Sequence, residues 1–62
     1  MDDWHYLNIR IQMEELITER EMMIAENQQR IHSGESLAYT GEEFSSVMTN
    51  LTRLREVLIH DG

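Results

Sequence analysis

Residues 3–33, DWHYLNIRIQMEELITEREMMIAENQQRIHS, contain no glycine and no proline. Thirty-one residues without either breaker predict one long helix over about 3–33. Its length would be roughly 45 Å at 1.5 Å per residue. Asp2 or Asp3 starts it, because a carboxylate there can accept a bond from an orphan amide and meets the positive end of the helix dipole. Arg30 and His32 suit the negative end, and Gly34 is the natural left-handed residue after the last turn. Apolar residues recur at helical spacing: Tyr6, Ile9, Met13, Leu16, Ile17, Met23, Ile24 and Ile31. They form one stripe, on which Arg20 and Asn27 also fall. Trp4, Leu7, Ile11 and Met22 occupy the opposite side.

Thr40-Gly41-Glu42-Glu43 reads as a capping box. The Thr40 hydroxyl can accept from the Glu43 amide while the Glu43 carboxylate reaches back to the Thr40 amide. Tyr39 and Phe44 stand at the two positions of a hydrophobic staple. From there Phe44, Val47, Leu51, Leu54 and Leu58 follow a 4–3 apolar repeat, with Met48 beside it. A second helix is expected over about 41–59, after a turn at 34–40. Two helices with so short a connection form an antiparallel hairpin. The fold class is all-α, and 1–62 is a single helical-hairpin domain.

The second helix would be roughly 28 Å long and would cover the first only down to about residue 13. The first dozen residues then overhang, apolar on both sides. Burying one large side chain is worth roughly 1.5–3 kcal/mol, so leaving Trp4, Tyr6, Leu7, Ile9 and Ile11 in water together forfeits several times that. A homodimeric helical bundle recovers it. The expected dimer interface is Trp4, Leu7, Ile9, Ile11 and Met22. The expected hairpin core is Tyr6, Met13, Leu16, Ile17, Met23, Ile24 and Ile31 against Phe44, Val47, Leu51, Leu54 and Leu58.

Composition limits the chemistry. Sixty-two residues rarely supply more than about 3–5 kcal/mol from one core, and with no cysteine there are no disulfides. Oligomerisation is the remaining remedy. Twelve acids against five arginines and no lysine give a net charge of −7. An acidic chain repels phosphates, so neither nucleic acid nor an anionic membrane is an expected partner. No signal peptide or membrane span is expected, and the chain fits a reducing cytoplasm.

Motifs that could carry chemistry have plainer readings. Gly34-Glu35-Ser36-Leu37-Ala38 looks like a nucleophile elbow, but that motif needs a strand-to-helix turn above a sheet. Asn50-Leu51-Thr52 matches a glycosylation sequon inside an expected helix. His5, His32 and His60 are dispersed, whereas zinc needs convergent ligands. Arg20 and Asn27 either lie near the seam edge, with Arg20 snorkelling to water or to Glu56, or fix register or oligomer state. Glu14, Glu15, Glu19 and Glu21 are a solvated face or an acidic surface for a partner. No catalytic residue, cofactor or metal is expected.

The opening Met1-Asp2-Asp3-Trp4-His5-Tyr6, the Glu-rich helix before a turn and the length of the chain resemble the short helical early accessory proteins of lambdoid phages. That resemblance implies a protein that modulates host physiology or the lysis–lysogeny choice by binding host factors. No functional residues carry over from it. The functional expectation is a non-catalytic dimeric protein-interaction module with a host or phage protein as partner. The alternative is an acidic inhibitor that occupies a nucleic-acid-binding site on a host protein.

Overall fold

The first helix begins where a carboxylate can hold it. In the structure, a computed structural model that describes residues 2–61, the Asp2 side chain accepts from the His5 amide at 2.7 Å. Asp2 itself is extended, and helix α1 runs Asp3–His32. It ends in a Schellman turn. Gly34 takes the left-handed conformation with φ of 78°. The Glu35 amide bonds the Arg30 carbonyl at 2.8 Å and the Gly34 amide bonds that of Ile31 at 3.1 Å. A side chain at Gly34 would be strained by this φ. Helix α2 runs Gly41–Asp61, so the fold is an all-helical hairpin. Met1 and Gly62, at the bounds of the expected 1–62 domain, lie outside the described residues.

Helix α2 runs two residues beyond the expected end at 59. No breaker stands before Gly62, and the last turn is tied by His60 Nε2 at 3.0 Å from Glu56 Oε2. This extension changes what α2 covers. Ile9, assigned from sequence to a dimer interface, is 3% exposed within the single chain. The cover therefore reaches about a helical turn further along α1 than residue 13.

Among the described residues the hairpin buries three side chains: Ile9, Met23 and Val47. Met13, Leu16, Ile17, Phe44, Leu51, Leu54 and Leu58 are half-buried, as is Val57, which the 4–3 repeat passed over. Tyr6, Ile24 and Ile31 were expected in the core and are exposed, Ile31 to 64%. The cause is geometric. The apolar stripe of α1 is wider than one partner helix can cover, and α2 is the only partner in the hairpin. The molecule measures 48 × 17 × 10 Å between Cα extremes, two helices wide and one helix thick.

Candidate interaction surfaces

Asn27 organises the closed end of the hairpin. Its side-chain oxygen accepts from the amides of Ala38 at 3.1 Å and Tyr39 at 3.0 Å. Its amide nitrogen donates to the Tyr39 carbonyl at 2.8 Å. One half-buried side chain thus satisfies three backbone groups of the connection. Sequence reading placed Asn27 on the seam without finding this role. Arg30 adds to the same end: its Nε donates to Glu26 at 3.0 Å and its Nη1 lies 3.4 Å from the Ser36 carbonyl. Tyr39 is half-buried beside this clamp, whereas Leu37 stays exposed.

The start of α2 is held by Thr40 and Glu43. The Glu43 carboxylate accepts from the Thr40 amide at 2.8 Å and from the Thr40 hydroxyl at 2.6 Å. The hydroxyl is thus used as a donor to the carboxylate, where the capping box has it accepting from the Glu43 amide. These bonds favour the ionised form and hold the Glu43 carboxyl below its ordinary pKa of 4.5.

Trp4, Leu7, Ile11 and Met22 are all exposed, Trp4 to 84% and Met22 to 67%. Trp4, Leu7 and Ile11 follow one another about one turn apart and make a short apolar ridge on the side of α1 turned away from α2. Met22 continues it three turns on. Glu14, Glu15, Glu19 and Glu21 are exposed as well, but they do not share one face. Helical spacing puts Glu14 and Glu21 on one border of the ridge and Glu15 and Glu19 on the other. Arg10 approaches Glu14 at 3.7 Å and stands 6.0 Å from the centre of the Tyr6 ring. Both contacts are at the surface and contribute little to stability.

The remaining charged candidates stay apart. His5, His32 and His60 are exposed. Among the described residues no three His, Cys, Asp or Glu side chains converge as a metal site would require. Glu56 is engaged on its own helix by His60 and Arg55. Arg20 is exposed and lies away from it, because the register sets Leu16 level with Asn50 and Leu54. That places Glu56 nearer the open end of the hairpin than Arg20. The Gly34–Ala38 segment is turn and loop, and Asn50-Leu51-Thr52 lies inside α2. Among the described residues no helix is long and apolar enough to cross a membrane.

Compared with protein-family models, curated proteins and solved structures, the chain matches none.

Proposed function

We propose that this chain is a non-catalytic protein-interaction module that works as a homodimer. The observation that carries this reading is its surface. A folded monomer of 7.4 kDa is expected to expose about 4200 Å² from the scaling of area with mass. The hairpin exposes 4964 Å². The surplus of about 750 Å² is close to the roughly 800 Å² that each partner gives up in a standard interface. Association supplies the burial that three interior side chains cannot.

In this reading the Trp4–Leu7–Ile11 ridge, Met22 and the glutamates beside them serve recognition, by the second copy or by a host or phage protein. The resemblance to phage early accessory proteins extends the proposal to an effect on host physiology or on the lysis–lysogeny choice, exerted in the cytoplasm through a protein partner. The exposed glutamates favour a second reading, an acidic inhibitor seated in a nucleic-acid-binding site of a host protein. Salt separates the two. A charge-driven inhibitor loses its partner steeply as ionic strength rises, whereas an apolar contact does not. Binding to the captured partner, measured across a salt series, decides between them. A purified protein that sediments as a stable monomer at micromolar concentration would refute the dimer.

A further inference from the structure

The hairpin is a single layer of two helices, whereas stable domains are built from at least two packed layers. Its two broad sides differ in chemistry. Gln12 and Glu19 of α1 line shallow depressions together with Glu43, Ser46, Asn50 and Arg53 of α2. These residues mark one broad side, on which polar groups share the lining with seam residues such as Leu16, Met23 and Leu54. About a third of a turn round α1 from Gln12 and Glu19 stand Tyr6, Ile17, Ile24 and Ile31. About a third of a turn round α2 from Asn50 and Arg53 stand Met48 and Leu51. In an antiparallel pair both rotations lead to the same side. The other broad side carries these apolar residues from the Tyr6 end of α1 to the Ile31 end and is contributed by both helices.

Resting on the reading of the chain as a homodimer, we propose that its second copy packs on this broad apolar side, closing a four-helix bundle. Three observations favour that side over the Trp4 ridge. The residues on it are those that helical periodicity assigns to a core and that α2 alone leaves exposed, Ile24 and Ile31 among them. The broad side of a 48 × 17 Å hairpin projects about 800 Å², which matches one half of a standard interface. The ridge belongs to one helix, whereas the broad apolar side draws on both. Gln28 and three arginines, Arg10, Arg20 and Arg55, share the apolar side, and the arginines have long stems that can lie along it while their charged ends reach water. Self-complementarity of one patch is what a two-fold dimer requires.

Met22 on the ridge and Met48 on the apolar side report the difference, because the hairpin alone exposes them almost equally, to 67% and 64%. Oxidation of a methionine by peroxide follows its exposure. The wild-type protein, held at a concentration where sedimentation shows dimer, is treated briefly with peroxide and mapped by mass spectrometry. Met48 should react several-fold more slowly than Met22. Equal reactivity of the two in a proven dimer, or slower reaction of Met22, would overturn the choice of side while leaving the homodimer standing. A monomer by sedimentation would remove both. As a second check, Ile24→Glu should abolish the dimer and Trp4→Ser should retain it. The reverse pattern would place the second copy on the ridge.

Discussion

At the scale of single residues, Asn27 has more at stake than its exposure suggests. Replacing it by Ala leaves three backbone groups of the connection without their partner. Stranding a buried polar group costs about 1–3 kcal/mol, and these are only half-buried, so the whole change should cost about that much in denaturant melts. Asn27→Asp keeps the two acceptor bonds and loses the donor, and should fall between wild type and Ala. Equal stability of all three would show that the clamp is not formed in solution. Glu43 makes a prediction about pH. Its folded pKa is lowered through the Thr40 bonds, so its contribution is present above the ordinary carboxylate value and is lost as pH falls through the folded one. Glu43→Gln should therefore flatten the fall in melting temperature below about pH 4.5, the ordinary value. An unchanged acid limb would argue against the cap. Of these features the Thr40–Glu43 pair was legible in sequence, because a capping box is local. The Asn27 bonds span 11 and 12 positions, and no periodicity marks them.

At the scale of elements, both helices and their order could be read from breakers, caps and apolar spacing. The misplaced residues have a common cause. Periodicity tells which side of α1 is apolar, but not how many neighbours are there to cover it. Tyr6, Ile24 and Ile31 belong to the stripe, yet one partner helix covers only its centre. The apolar repeat stops before the last turn of α2, which His60 and Glu56 close, so the repeat alone understates the reach of α2. Ile9 and Ile11 test the resulting picture, two positions apart on opposite sides of α1. Ile9→Ala should cost about 2–5 kcal/mol, as for a buried aliphatic side chain. Ile11→Ala should stay within about 0.5 kcal/mol, as for an exposed one. A large cost at Ile11 would mean that the ridge is covered in the native assembly.

At the scale of the whole molecule, charge and surface area govern behaviour. A chain of −7 without lysine repels phosphates, and should show no sub-micromolar binding to random duplex in a gel shift at about 0.15 M salt. Association of two such chains works against their like charge, so the dimer should strengthen as salt rises. Sedimentation equilibrium at micromolar concentration, combined with thermal melts over a concentration series, tests whether the hairpin needs a second copy. The expected result is a species of twice the 7.4 kDa chain mass, with a melting temperature that climbs with concentration. A well-folded 7.4 kDa monomer whose melting temperature ignores concentration would contradict it.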